Sequence, residues 1–263
     1  MITFQFFGSD NYSKIVLGEF LKDKNFKLVK NNPDVGILAS YGKILDKKTV
    51  NSIKAGIFNV HPSLLPKYRG PTPVQSAIIN GETETGVTVF KLDEKIDHGP
   101  ILGQKKEEIR KDDTSLSLYN RLFILGAQII KESLENYLNG SIKLTPQDHK
   151  KAIFTIKKLD KENGFIDPGI LSQILKGKKP DKKINFGLFA SSGNIHNIIR
   201  GLYPWPCAWT MVKTNSNSNP KRLKLISSHL QNEKLFLDRV QLEGKKEVTF
   251  KQFKEGYPDF SFS

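Results

Sequence analysis

Cysteine is almost missing from this chain. One thiol, Cys207, among 263 residues excludes an internal disulfide and a cysteine-based zinc site, and it fits a reducing compartment. Long apolar runs are missing as well. None reaches the roughly 18 residues that a spanning helix needs, and the N-terminus has no signal-peptide pattern. The expectation is a soluble, cytoplasmic, monomeric protein with no membrane partner. No G-x-G-x-x-G or Walker pattern follows any apolar run, and Phe7-Gly8-Ser9-Asp10 is too short to stand in for one. Dinucleotide and nucleoside-triphosphate readings therefore lose their support. Acids are scarce beside bases, 27 against 41, for a formal charge of +14. So unbalanced a surface attracts a polyanion, nucleic acid or an anionic membrane, unless the lysines only solubilise it.

What is present suffices for a core: 38% of the residues are hydrophobic, enough for one large domain or two modest ones. Ile2 to Phe7 reads as a strand, Ser13 to Leu21 has apolar residues at helical spacing, and Phe26 to Val29 is a short strand. Val35 to Tyr41 is the apolar run of a central strand in a parallel sheet, and Gly56 to Val60 reads as a strand. Lys47 to Ile53 and Thr72 to Ile79 read as helices, and Thr85 to Phe90 and Leu102 to Ile109 as strands. A long helix begins near Thr114, a residue suited to capping, and stops at Gly140. This alternation predicts an open, mostly parallel α/β sheet over residues 1–140.

Beyond Gly140 the composition turns polar and basic, and residues 141–163 read as a linker. Residues 164–263 read as a small β-rich domain. It opens with a dense positive run, Lys176 to Lys183, followed by a helix capped by Ser192. Strands are expected at Thr210 to Lys213, Lys221 to Ile226, Lys234 to Leu242 and Glu247 to Phe253, with 214–219 as a hairpin loop.

In an open parallel sheet, ligands gather at the carboxyl ends of the strands, where Asn59 and His61 fall. An amide and an imidazole aimed into one cleft can stabilise an oxyanion, and Asp97, between two expected strands, can reach the same edge. The plainer alternative makes Asn59 and His61 turn-forming residues. The residues alone leave these two readings level.

The longer motifs add a resemblance. Asn59-Val-His-Pro-Ser-Leu-Leu-Pro-Lys-Tyr-Arg-Gly70, Ala39-Ser-Tyr-Gly-Lys-Ile-Leu45, Gly81 to Thr88, Asp97-His-Gly-Pro-Ile101 and Ile199-Arg-Gly-Leu-Tyr-Pro-Trp-Pro206 resemble the folate-dependent formyltransferase family in order and spacing. The resemblance implies a Rossmann-like sheet followed by a small OB-like domain. It implies formyl transfer from 10-formyltetrahydrofolate, with no metal, to the α-amine of initiator methionyl-tRNA. An amino-sugar nucleotide or other small amine is the alternative acceptor, and an inactive RNA-binding relative is a third reading.

By the same resemblance Asn59, His61 and Asp97 are catalytic, with Asp97 orienting His61. Ser63, Leu64, Leu65 and Pro66, together with Tyr41, Gly42 and Ile44, would contact the folate. Arg69, Lys176, Lys178, Lys179, Lys182, Lys183 and Arg200 would contact tRNA. The chain departs from the family by a shortened stretch between Gly8 and Pro33 and by about 15 extra residues around Lys176 to Lys183.

Overall fold

Two runs buried along nearly their whole length form the middle of the first sheet. They are β3 (Val35–Ala39) and β4 (Ile57–His61), the latter buried at every position. The flanking elements, in chain order, are β1 (Ile2–Phe7), α1 (Asn11–Leu21), β2 (Phe26–Leu28), α2 (Lys47–Val50), α3 (Pro73–Ile79), β5 (Glu84–Lys91), β6 (Ile101–Glu108) and α4 (Ser115–Leu138). The sheet order is β2-β1-β3-β4-β5-β6. β1 to β4 pair in parallel, and β5 and β6 are added antiparallel at the far side of β4. The sheet is thus mostly parallel, as expected, and its chain order reverses at β1 and β3. Such a reversal opens a crevice at the carboxyl ends of the strands.

In this computed structural model, which describes every residue except Lys157 in the expected linker, the chain divides into two units. Met1–Val74, Thr83–Ile109 and Ser117–Lys157 form the first, and Gln75–Glu82, Arg110–Leu116 and Lys158–Ser263 the second. The division departs from one expectation. The described residues of 141–157 are not a linker but part of the first unit. They are held there by a parallel bridge between Arg69 and Phe154 and an antiparallel one between Ile101 and Thr145. A polar segment can pack in this way when its backbone groups find partners that periodicity does not reveal.

Within the first unit, α4 lies close against β4 and β5 at Gly126, where a Cβ would come within 2.3 Å of Val60 and 3.0 Å of Val87. Only a residue without a side chain permits that approach, so Gly126 sets the seat of the strand that carries Asn59 and His61.

The second unit holds α5 (Pro168–Leu175), α6 (Ser192–Gly201), β7 (Ala208–Lys213), β8 (Lys221–Gln231), β9 (Lys234–Leu242), β10 (Glu247–Thr249), α7 (Phe250–Gly256) and β11 (Ser261–Phe262). Its antiparallel sheet runs β10-β9-β8-β7-β11, with α6 packed on β8 and β9. The helix expected to be capped at Ser192 is capped by Ser191, whose side chain accepts from the Asn194 N–H. The strand expected from Glu247 to Phe253 ends at Thr249, and α7 follows. Thr249 Oγ1 accepts from the Gln252 N–H at 3.1 Å while Gln252 Oε1 accepts from the Thr249 N–H at 3.0 Å. This reciprocal cap, three residues apart, turns an alternating pattern into a helix. Among the described residues no helix is long and apolar enough to cross a membrane.

Candidate active site

β4 ends in the crevice and presents Asn59 and His61, two residues apart and therefore on one face of the strand. Asn59 is paired in register with Leu38 of β3 and Phe90 of β5. It is only 9% exposed, and no described side chain or backbone group holds its amide. His61 is differently placed. Its Nε2 lies 2.9 Å from the Tyr68 carbonyl, which has only acceptor lone pairs, so Nε2 carries the proton and donates. Nδ1 faces Asp97, 3.7 Å from Oδ2, within ion-pair range but beyond a hydrogen bond. The hydrogen bond on the His61 ring is therefore to the Tyr68 carbonyl, and Asp97, expected to orient the ring, stands at ion-pair distance.

Asp97 has its own anchor: Oδ2 accepts from the Gly70 N–H at 2.7 Å. Gly70 has φ +118, and a Cβ there would meet Thr155 Oγ1 at 2.4 Å. Both the backbone angle and the space demand glycine. Gly70 was legible only as the end of a motif, and its link to Asp97 has no signature in the sequence.

Two cavities meet at this point, of about 300 and 700 Å3, and Asn59 and Asp97 line both. The smaller is walled by Leu45, Val50 and the 92–97 segment. The larger is walled by aromatic rings, Tyr41, Tyr119, Phe123 and Phe154. Of the residues expected to touch folate, Tyr41, Gly42 and Ile44 line the larger cavity, and Ile44 lines the smaller one too. Ser63, Leu64, Leu65 and Pro66 line neither. They are laid over β5 and β6: Thr88 Oγ1 donates to the Ser63 carbonyl at 2.6 Å and accepts from the Leu65 N–H, and Gln104 Nε2 donates to the Leu65 carbonyl at 2.9 Å. These bonds fix the loop that brings Tyr68 and Gly70 to the site.

Two of the expected tRNA contacts, Arg69 and Arg200, are hydrogen-bonded within the protein. Arg69 is 4% exposed; its guanidinium donates to Gln147 Oε1 at 2.6 Å and to His149 Nδ1 at 2.8 Å. Gln147 in turn donates to the carbonyls of Asp97 and Gly99. The His149 ring stacks on His98, with centroids 3.9 Å apart, and His98 Nδ1 meets Asp93 at 2.6 Å. Desolvation lowers the pKa of His149, and the charges of His98, Arg69 and Lys95 add to it, in keeping with an Nδ1 that accepts. Arg69 thus ties the supposed linker to the loop bearing Asp97.

Arg200 donates to Asn197 and to the carbonyls of Arg110 and Asp113, closing a turn in the second unit. Lys176, Lys178, Lys179, Lys182 and Lys183 are all exposed. Cys207 is buried at φ +70, and desolvation pushes its thiol up to about 11, so it is packed and unreactive. Among the described residues no group of three or more His, Cys, Asp or Glu is placed to hold a metal.

At the carboxyl end of this open α/β sheet an amide, an imidazole and a carboxylate thus stand where two cavities join, groups that can donate to a developing oxyanion and take up a proton. The chain belongs to the formyl transferase family. The family model "Formyl transferase" matches residues 9–134 and "Formyl transferase, C-terminal domain" matches residues 176–235. A methionyl-tRNA formyltransferase from Thermodesulfovibrio yellowstonii is 36% identical over 255 residues, which cover 90% of this chain and 76% of that protein. Other curated methionyl-tRNA formyltransferases are matched over about half their length.

Among solved structures, the methionyl-tRNA formyltransferase of Clostridium thermocellum aligns with a TM-score of 0.62 at 17% identity, over 92% of this chain and 99% of that one. The sugar 3N-formyl transferase WlaRD aligns with the same TM-score at 22% identity, over 95% and 97%. These two show the fold.

Proposed function

We propose that this protein transfers the formyl group of 10-formyltetrahydrofolate to the α-amine of methionyl-tRNA, the step that prepares the initiator for translation. The observation that carries this reading is the placement of Asn59 and Asp97 at the junction of two cavities, as the meeting of a donor and an acceptor requires, in a chain 36% identical to a methionyl-tRNA formyltransferase. The smaller cavity suits the flat heteroaromatic end of a folate. Leu45, Val50 and Ile96 give apolar walls, and the 92–97 segment adds polar edges through Asp93 and Asp97. The aromatic wall of the larger cavity suits an apolar, sulfur-containing side chain.

The donor supplies a formyl carbon already attached to a nitrogen leaving group. The amine forms a new C–N bond to that carbon, the old C–N bond breaks, and one proton passes from the amine to the departing nitrogen. In between, the formyl oxygen gains negative charge. The free amide of Asn59 donates to it. His61 donates from Nδ1, which requires the charged ring, because Nε2–H is already given to Tyr68. The His61 ring is held by the Tyr68 carbonyl before substrate arrives, so it needs little reorganisation as charge develops. Asp97, held by Gly70, receives the amine proton and stands beside the charged ring.

The test is incubation with labelled formyl donor and a panel of amines containing methionyl-tRNA, uncharged tRNA with free methionine, and an amino-sugar nucleotide. Label on methionyl-tRNA is the expected result. Label on the sugar nucleotide alone would replace this acceptor by the other.

A further inference from the structure

The positive run 176–183 leads into a small hairpin that the proposed chemistry does not use. Lys183 and Phe189 form an antiparallel bridge, the Ile184 N–H donates to the Leu188 carbonyl, and the Ala190 N–H to the Lys182 carbonyl, both at 2.8 Å. The hairpin is tied to its own unit at two places. The Asn185 amide donates at 2.8 Å to the carbonyls of both Asn163 and Phe165, and Asn194 Nδ2 donates at 2.8 Å to the Phe189 carbonyl.

On this fixed support the Phe189 side chain is left 58% exposed. An exposed phenyl on a mobile loop needs no explanation, but one held out by a pinned backbone is presented. Its surroundings say to what. Lys183 Nζ lies 5.8 Å from the ring centroid, and Lys176, Lys178, Lys179 and Lys182 are exposed nearby in the chain, with Asp181 the one acid of the run. A π-face set among cations matches the alternation of base and phosphate along a nucleic-acid strand, where bases stack on aromatic rings while lysines follow the backbone.

We propose that the 182–190 hairpin is a stacking platform for an unpaired RNA base, with Phe189 taking the face of the base and the lysines of 176–183 taking its phosphates. The proposal rests on the tRNA reading above. It adds a contact that reads single-strandedness, which phosphate contacts alone do not.

The experiment titrates a short single-stranded RNA bearing one 2-aminopurine, whose fluorescence is quenched on stacking, into the wild type, Phe189→Ala and Phe189→Trp. Wild type and Phe189→Trp should quench. Phe189→Ala should lose the quench and bind about 5- to 150-fold more weakly, the range that losing one base–aromatic stack gives. Its salt slope should be unchanged, since every lysine remains. The side chain is exposed, so folding should be unaffected, as circular dichroism would verify.

If the wild type formylates methionyl-tRNA while Phe189→Ala keeps full quench and affinity, the stacking proposal falls and the tRNA reading stands. If no formyl reaches methionyl-tRNA, both fall. Binding to phosphatidylserine vesicles that depends on Phe189, with no quench of the RNA probe by wild type, assigns the phenyl to a lipid surface and overturns the proposal.

Discussion

At the level of single residues, Asn59 and His61 differ in how they are held, and so in what their loss should do. The Asn59 amide has no described protein partner, so Asn59→Ala removes a donor without orphaning another group. Turnover should fall about a hundred- to a thousandfold, the 2.7–4 kcal/mol typical of one oxyanion donor, with melting temperature nearly unchanged. His61→Ala should cost at least as much activity and also some stability, because the hydrogen bond to the buried Tyr68 carbonyl is lost. Asp97 sits at φ +47, which asparagine tolerates. Asp97→Asn should therefore fold normally, keep the Gly70 contact and lose activity. Near wild-type rates in any two of these variants would remove the trio from the chemistry.

Arg69 makes the opposite prediction. Arg69→Leu strips the buried Gln147 of its donor and should cost about 1–3 kcal/mol for that orphaned group, lowering the melting temperature, while the exposed His149 can turn to water. The salt dependence of tRNA binding should not change, since a guanidinium enclosed by Gln147 and His149 neutralises no phosphate. A flatter salt slope with unchanged stability would return Arg69 to the RNA surface.

At the scale of elements, the seat of α4 on β4 governs where the site residues end up. Replacing Gly126 by alanine would gain about 1 kcal/mol of helix propensity. It would also push a methyl to 2.3 Å from Val60 and 3.0 Å from Val87, on buried strands with stiff β-branched side chains. Overpacking of that kind costs about 1–3 kcal/mol or more, so the clash wins. Gly126→Ala should be less stable to urea, and because Val60 stands between Asn59 and His61, kcat should fall too. Stability above wild type would show that α4 can shift freely.

For the whole molecule, the charge of +14 bears on tRNA affinity through the lysine run. Each lysine that neutralises a phosphate steepens log affinity against log salt by about 0.7 to 0.9. Exchanging Lys176, Lys178, Lys179, Lys182 and Lys183 for glutamine should therefore flatten the slope by up to about 3.5 to 4.5 and weaken binding at low salt. Formylation of methionine amide, which has no phosphates, should keep its rate. An unchanged slope would make the run a solvated face and leave the RNA to another surface.

The sequence by itself determined the element order and much of the sheet. The apolar runs of β3 and β4, the spacing in α4 and the motif through Asn59 and His61 are local patterns, and local patterns follow from burial and backbone preference. It also pointed to the family, because the motif residues stand close together in the chain. Tertiary structure decided whatever joins residues far apart. Arg69 reads as a surface cation until Gln147 and His149, some 80 residues away, close over it. Residues 141–163 read as a linker, yet the stretch through Thr145 and Phe154 is anchored by backbone bridges, which leave no hydrophobic period. Ser63 and Leu65 also have partners, Thr88 and Gln104, that lie on strands met only after folding. The same holds for His61, whose donor bond goes to a carbonyl, a group that every residue has and that no sequence pattern can single out.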